Sequence, residues 1–354
     1  MKERTKKRGY LIKTAGLLSV CSLAVLGLSV NGLAEFPEHY QAMKENVTFD
    51  CQVICPESVN ESAYPEYKAE LLWGDKERQE KMFLEGREIR EKHESEASEY
   101  GPATTYYLLK DGASLGAGGF FSYSAPTSDF YGQMGLISSY EGTYDQNELE
   151  MGSPEEYIQK AEKLLAETGF SAEDYRFQWM SFDRDVLSNL EQQLMAESRI
   201  DPGDEKGEWT QEDEAYILYA WQYKKDVPIL TELMGLDSPS CLDRVENAAV
   251  IAVYSSRGLE LILTSKYYDL QETGKEHPLL EFEKAAETVD KKLNSILGKN
   301  QYQVVEAKFF ERVKQNEEQE LEAEPVWRFL ISENEEAYFT VLVNAITGVE
   351  SYFS

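Results

Sequence analysis

One pentapeptide of this 354-residue chain has the spacing of a hydrolase nucleophile. Gly112-Ala113-Ser114-Leu115-Gly116 fits G-x-S-x-G, in which a sharp turn from a strand into a helix exposes the serine hydroxyl. That hydroxyl becomes a strong nucleophile only beside a general base, and the one histidine downstream is His277. The dipeptide Asp111-Gly112 favours a two-residue hairpin turn instead. We therefore predict a glycine-rich strand here and keep a serine hydrolase using Ser114 as the alternative.

A second stretch, the acidic segment 201–213, has some of the features of a calcium-binding loop. Asp201 and Glu212 fit positions 1 and 12 of an EF-hand loop, but the sixth position is Lys206, where the turn requires glycine. The three histidines of the chain are scattered, and zinc needs ligands at tighter spacing. The sequence therefore predicts no catalytic, cofactor-binding or metal-binding residue, and no cofactor.

The cysteines are candidates for a disulfide. In VTFDCQVIC, strict alternation places Cys51 and Cys55 on one apolar face of a strand. Residues four apart on a strand lie about 13 Å from each other, which is too far for a direct bridge. We predict two small buried side chains, and a disulfide from one of them to Cys241 stays open.

Residues 1–34 have the pattern of an export signal. Six basic residues and one acidic residue precede the uncharged stretch Thr14–Val30, and small residues suit cleavage after Ala34. A retained N-terminal anchor is the alternative, because 17 apolar residues approach the length of a membrane span. Lipidation at Cys21 is disfavoured by Val20, since a lipobox has a small residue there. We expect an exported protein, either secreted or held at the cell envelope outside the cytoplasmic membrane.

The charge of the chain limits its partners. The formal net charge is −30, and removal of residues 1–34 would make it −35. So acidic a protein repels nucleic-acid phosphates and anionic membrane surfaces, so we expect no nucleic-acid partner. Contact with the membrane is expected only through the N-terminal segment, if that segment is retained.

Periodicity and turn residues predict an α+β fold. A capping box with Pro154 at the first helical position begins a helix that ends at Gly169. Residues 280–297 carry a second amphipathic stripe, and strand-like segments follow each helix. In the region before these, we predict a strand at 46–55, one long helix or two helices broken at Gly74 within 67–98, and a hairpin at Asp111-Gly112.

The two halves that follow residue 150 share one order of elements. VIAVYSSRGLE can be set over TVLVNAITGVE, which places Gly258 on Gly348 and Val253 on Val343. This order predicts a duplicated unit, in which an antiparallel sheet packs on an amphipathic helix. The predicted organisation is listed as 1–34 (signal peptide or anchor), 35–150 (strand, helix and hairpin region), 151–275 (first unit) and 276–354 (second unit).

PVWRF, a hydrophobic strand and VNAITGVE together resemble the closing strands of PepSY-type domains. The range 153–354 is similar to the paired extracytoplasmic domains of the YycH and YycI regulators and of related exported lipoproteins of Gram-positive bacteria. The resemblance implies an α+β fold, no cofactor and no catalytic residue. It also implies a protein that binds or restrains another protein outside the membrane. The weak lipobox at Cys21 and the cleavage site at Ala34 depart from this pattern, and both bear on how the protein is tethered.

We therefore expect a non-catalytic, exported regulatory protein that contacts an extracytoplasmic protein or peptide. A serine hydrolase using Ser114 and a prodomain-type peptidase inhibitor are the alternatives. Aromatic residues crowd the hairpin region, and we expect some to form an exposed contact surface: Tyr106, Tyr107, Phe120, Phe121 and Tyr123. Three tryptophans are expected to lie in strands and to pack in the hydrophobic core: Trp179, Trp221 and Trp327.

Overall fold

The computed structural model describes most of the chain after residue 35. The described residues are 36–97, 102–128, 131, 146–200, 203, 205–230, 248–296, 300–316, 318, 320–334 and 337–353. The export signal, Cys21 and Cys241 lie outside them. Among the described residues, no helix combines the length and the apolar character needed to cross a membrane.

The elements follow in chain order. The helices are α1 (Lys76–Leu84), α2 (Pro154–Glu167), α3 (Arg184–Ala196) and α4 (Phe282–Ser295). The first strands are β1 (His39–Met43), β2 (Val47–Ile54), β3 (Tyr64–Leu72), β4 (Ile89–Glu94), β5 (Thr104–Leu109), β6 (Ser114–Gly118), β7 (Ser122–Ser124) and β8 (Tyr175–Phe182). The later strands are β9 (Ala215–Lys224), β10 (Val227–Leu230), β11 (Val250–Ser255), β12 (Gly258–Thr264), β13 (Tyr267–His277), β14 (Tyr302–Gln315), β15 (Leu321–Glu333), β16 (Ala337–Asn344) and β17 (Glu350–Phe353).

A helix followed by a four-stranded antiparallel meander occurs three times among the described elements. Helix α2 precedes the meander β8-β9-β11-β12, and α4 precedes β14-β15-β16-β17. Both meanders lie within the ranges for which the sequence predicts a unit, and the α+β class is confirmed. Helix α1 precedes a third meander, β4-β5-β6-β7, which the sequence analysis did not identify.

Two of the meanders join into one antiparallel sheet, sheet I. Strand β7 pairs with β12, with Tyr123 opposite Ile262, so that the strand order is β4-β5-β6-β7-β12-β11-β9-β8. The outer face of sheet I packs on α1 and α2 through Phe83 and Leu165. The region 35–150 and the range 151–275 therefore share a sheet.

The remaining meander, β14-β15-β16-β17, is extended by strands from elsewhere in the chain to form sheet II. Strand β2 pairs in parallel with the first half of β14, β1 pairs with β2, and β10 pairs in parallel with the second half of β14. Strand β3 pairs with β13 along its length and with the start of β15. Sheet II packs on α4, whose buried residues include Phe282, Val289 and Leu293.

A core of side chains connects the two sheets. Leu187 and Leu194 of α3 lie in it, together with Ile217 of sheet I and Phe310 and Leu342 of sheet II. The layers therefore run from α1 and α2 through sheet I, this central core and sheet II to α4. Because each sheet packs on both faces, its central strands are buried along most of their length, as β15 is from Glu324 to Ser332.

The prediction of one or two helices over 67–98 is wrong for most of that range. Residues Tyr64–Leu72 form β3 and Ile89–Glu94 form β4, and only nine residues between them are helical. Asp75 caps α1 by accepting a hydrogen bond from the Arg78 amide, and Gly86 has a positive φ just after the helix. The many charged residues of this range suggested a solvated helix; those of β4 instead lie on exposed positions of a paired strand.

Two glycine turns, one between β11 and β12 and one between β16 and β17, agree with the alignment of VIAVYSSRGLE on TVLVNAITGVE. Gly258 follows the turn after β11 with φ of 116°, and Gly348 lies in the turn after β16 with φ of 70°. A residue with a Cβ is strained in this region of φ. Nothing lies within 4 Å of a Cβ built on Gly258, so the constraint there is the backbone conformation alone.

We expect Gly258→Ala to lower the free energy of unfolding by about 1–2 kcal/mol, because alanine resists the positive φ. Chemical denaturation of the purified protein measures this change. Ser256→Ala, in the same exposed turn, is the matched control and should change stability by less than about 0.5 kcal/mol. Equal stability of the Gly258→Ala variant and the parent would show that the turn does not depend on glycine.

Candidate functional site

The structure places Ser114 at the start of a hairpin strand. Gly112 forms the turn between β5 and β6 with φ of 95°, and Ser114 lies opposite Leu108 on one side and Ser124 on the other. The hairpin and the glycine-rich strand are therefore as predicted. His277 belongs to β13, which pairs with β3 beside sheet II, whereas Ser114 belongs to sheet I. The geometry around Ser114 thus lacks the strand-to-helix turn of a nucleophile elbow.

The described part of the acidic segment 201–213 folds around two buried carboxylates. Glu191 of α3 accepts hydrogen bonds from the Lys206 amide at 2.6 Å, the Gly207 amide at 3.2 Å and the Trp209 indole at 2.9 Å. Lys206 itself forms an ion pair with Asp213. No metal-binding cluster of histidine, cysteine or acidic residues occurs within the described residues.

Asp213 belongs to a polar network that secures the turn between β11 and β12. The Arg257 guanidinium donates to Asp213 at 2.7 Å, to Glu260 at 3.0 Å and to the Tyr131 hydroxyl at 3.0 Å. Burial opposes ionisation of Asp213, but its hydrogen bonds from Lys206, Thr210 and Arg257 hold the pKa well below the usual value. In this network the carboxylates of Asp213 and Glu260 are paired with Lys206 and Arg257. These ion pairs explain the network as a structural feature of the turn.

Most of the aromatic residues that the sequence offers as a contact surface lie in the core. Tyr107 and Phe121 are buried and Tyr123 packs against the same core, while Tyr106 is 43% and Phe120 39% exposed. Trp221 and Trp327 are buried and Trp179 packs against the core, as predicted. Of the five aromatic residues of the predicted contact surface, only Tyr106 and Phe120 are exposed.

Cys51 lies in the core of sheet II, and Cys55 packs against that core. Neither is bonded to another described cysteine, and burial raises the pKa of the Cys51 thiol to about 11 and that of Cys55 to about 12. Both are therefore thiols of low reactivity. The prediction of a buried side chain is confirmed for Cys51, whereas Cys55 is half-buried just after the end of β2, and the pairing with Cys241 lies outside the described residues.

The strongest candidate for a binding site is a cleft of about 640 Å³ at one end of sheet II. It lies where β3 and β13 meet the hairpin of β14 and β15 and the turn between β16 and β17. We call it the hairpin cleft. Its lining residues are Pro65, Glu66, Tyr67, Lys68, Thr273, His277, Lys314, Asn316, Glu320, Leu321, Glu322, Ala323, Glu324, Pro325, Asn344, Ile346, Thr347, Val349, Glu350 and Ser351.

Glu66 and His277 form one wall of the hairpin cleft. His277 Nε2 lies 3.0 Å from Glu66 Oε2, and Glu66 Oε1 accepts hydrogen bonds from Lys275 at 3.1 Å and Thr273 at 2.9 Å. These contacts, His277 foremost, lower the pKa of Glu66 to about 2. The carboxylate is therefore ionised and held in position across the β3 and β13 pair.

Glu324 forms the opposite part of the cleft and is almost buried. It accepts hydrogen bonds from Lys314 at 2.7 Å, from the Asn344 amide at 3.0 Å and from the Ser351 hydroxyl. Burial raises its pKa, but these hydrogen bonds outweigh burial and leave the pKa below the usual value. Glu324 thus connects β14, β15, β16 and β17 at the cleft.

Beneath this end of the sheet lies a buried carboxyl group that has no ion pair among the described residues. Glu311 is completely buried, and its Oε1 accepts a hydrogen bond from the Tyr64 hydroxyl at 2.5 Å. Its Oε2 has no hydrogen-bond partner within the described part of the chain. Burial, together with the nearby charge of Glu324, raises the pKa of Glu311 to about 8. Glu311 is therefore protonated in the folded protein at neutral pH.

The sequence analysis predicted none of the residues of the hairpin cleft. A signal was present, because charged residues interrupt apolar strand segments at positions that alternation assigns to the interior. Glu311 is one case, and Arg328 is another: it is fully buried and paired with Glu306 at 2.5 Å. Such residues need partners when buried. The partners come from other strands, so sequence alone could not assign them.

Comparison with known proteins shows the fold only. The chain is similar to an uncharacterized protein from Eubacterium rectale, with 12% identity, a TM-score of 0.56, and coverage of 90% of this chain and 94% of that one. It also aligns with the YpeB C-terminal domain of Bacillus megaterium, with 13% identity, a TM-score of 0.29, and coverage of 78% of this chain and 94% of that one. No family model and no curated protein matches the sequence.

We expect Glu311→Gln to flatten the pH dependence of stability. The pKa of Glu311 is about 8 in the folded protein against an ordinary 4.5 in the unfolded chain. Its contribution to the free energy of unfolding is therefore fully present below about pH 4.5 and is lost as pH rises through 8. Each unit of pKa difference corresponds to ~1.4 kcal/mol. Urea denaturation between pH 5 and 9 checks this, with the exposed Glu318→Gln as control. Identical pH profiles for Glu311→Gln and the parent would contradict the assignment.

Proposed function

We propose that this protein is a non-catalytic, exported regulatory protein that contacts another extracytoplasmic protein or peptide through the hairpin cleft. The observation that carries the proposal is the composition of the cleft. Apolar residues such as Ile346 and Val349 lie beside charged residues in a cleft large enough for several side chains of a partner. Mixed surfaces of this kind are typical of protein interfaces that form and dissociate.

The polar residues of the cleft support binding over catalysis. Glu66, His277 and Glu324 each have partners that hold their positions. Glu66 and Glu324 accept hydrogen bonds from cationic side chains, which favours their ionised forms. A general acid or base has instead a pKa tuned towards the working pH. The residues therefore suit a rigid surface against which a partner packs.

The sequence supports the extracytoplasmic setting and a regulatory role. Residues 1–34 have the composition of an export signal, and the closing strands around Arg328 and Gly348 resemble PepSY-type domains. That resemblance implies proteins that hold or restrain other proteins outside the membrane. The partner would be another exported or membrane-attached protein, and no cofactor is required.

Site-specific photo-cross-linking tests this proposal. A photoreactive amino acid at Thr347, an exposed residue of the cleft, should form covalent adducts with one or a few extracytoplasmic proteins of the cells that make this protein. The same amino acid at Glu167, on the exposed side of α2, is the matched control and should not form these adducts. Failure to obtain adducts specific to Thr347 would contradict a binding role for the cleft.

A further inference from the structure

The carboxylates of the hairpin cleft fall into two classes. Glu66, Glu324 and Glu350 are held by close contacts with lysine, since Lys275, Lys314 and Lys292 lie at 3.1, 2.7 and 2.7 Å from them. These ion pairs balance charge within the wall of the cleft. Because their charge is already neutralised within the protein, these carboxylates would contribute little to the binding of a ligand.

Glu320 and Glu322 form the second class. Their nearest cations are Lys68 at 3.9 Å and Lys314 at 3.6 Å, distances too long for a hydrogen bond. The side chains are 57% and 43% exposed. Exposed ion pairs of this kind contribute little, at most about 1 kcal/mol. Both carboxylates are therefore solvated and accessible to another cation.

The backbone nevertheless fixes where these two carboxylates lie. The Asn316 amide donates to the Glu320 carbonyl at 2.9 Å, and the Asn316 side chain accepts from the Glu320 amide at 2.9 Å. Glu322 lies in β15, opposite Lys314 of β14. Glu320 directly precedes β15, and residues two apart in an extended chain lie about 7 Å from each other. The pair thus matches basic side chains at alternate positions of a second extended chain.

Apolar surface lies beside this pair. Val349 is 62% exposed, the largest value after Met43 among the exposed large hydrophobic residues of the described chain. Ile346, Leu321, Pro65 and Pro325 also line the cleft. Aliphatic side chains of a ligand would bury this surface, at roughly 25 cal/mol for each Å² of apolar area removed from water.

The charge balance favours a cationic ligand. Three of the five glutamates that line the cleft are neutralised by lysines, so the negative charge that a ligand can reach is that of Glu320 and Glu322. The chain as a whole has a net charge of −30, which steers cationic partners towards it and repels anionic ones. Building on the function proposed above, we infer that the hairpin cleft binds an extended segment of a partner protein in which basic and aliphatic residues alternate, with the basic residues on Glu320 and Glu322.

Fluorescence anisotropy with defined peptides tests this inference. The probe is a labelled nonapeptide of alternating lysine and valine, blocked at both ends, and the comparison peptide has glutamate in place of lysine. We expect the lysine peptide to bind, the affinity to fall as salt rises, and the glutamate peptide not to bind. The double variant Glu320→Lys with Glu322→Lys should weaken binding at least tenfold, which corresponds to about 1.4 kcal/mol, since two attractions become repulsions.

The matched control is Glu167→Lys with Glu197→Lys. These glutamates are also exposed and have loose cationic partners, Lys163 at 3.8 Å and Arg199 at 3.7 Å, but they lie outside the cleft. The control changes the net charge equally and should bind the peptide as the parent does, within about twofold. Thermal unfolding of both double variants confirms that they are folded.

Two outcomes would overturn the inference. Equal loss of affinity in both double variants would assign binding to the overall negative charge, and equal binding of the two peptides would exclude charge selection. Adducts at Thr347 together with either outcome would leave the binding function intact and remove only the proposed ligand chemistry. If the peptide binds selectively but no adducts form at Thr347, the ligand chemistry is supported and the proposed cellular partner is contradicted.

Discussion

Backbone pairing between β7 and β12 is the constraint on which the arrangement of this protein depends. A four-stranded meander has two edges, and an unpaired edge presents free amide and carbonyl groups. Pairing of Tyr123 with Ile262 joins two meanders into sheet I and removes one edge from each. Sheet II is completed in a related way, because β2 and β10 cover the open edge of β14. The N-terminal strands are thus integral to sheets whose other strands come later in the chain.

The elements that the sequence predicted well are those specified by local signals. The N-cap at Ser153, the glycine at 258 and the apolar stripe of α4 each act within a few residues, and the structure has all three. Helix α3 also had a local signal, the spacing of Leu187, Leu190 and Leu194, which the sequence analysis did not use. Strand β13 had none beyond its first residues, because Gln271–Glu276 are polar and exposed and only pairing with β3 makes them a strand.

The hairpin cleft illustrates why the candidate site could not be predicted. Its walls come from β3, β13, β14, β15 and the turn after β16, which lie up to 286 residues apart between Pro65 and Ser351. The sequence showed charged residues within apolar strand segments, but it did not show which partner neutralises each of them. The same three-dimensional arrangement leaves Glu311 protonated and buried and Glu320 exposed at the edge of the cleft.

Amide hydrogen exchange across the urea transition tests the central claim, that the three meanders fold as one structure, two of them joined at the edge between β7 and β12 and the third packed on them through the central core. The account predicts that peptides covering β5 to β7 lose protection at the same urea concentration as those covering β11, β12 and β16, because opening β7 exposes the edge of β12. Loss of protection in β4 to β7 at clearly lower urea, with β8 to β12 still protected, would contradict it. That result would show an N-terminal meander that folds and unfolds on its own.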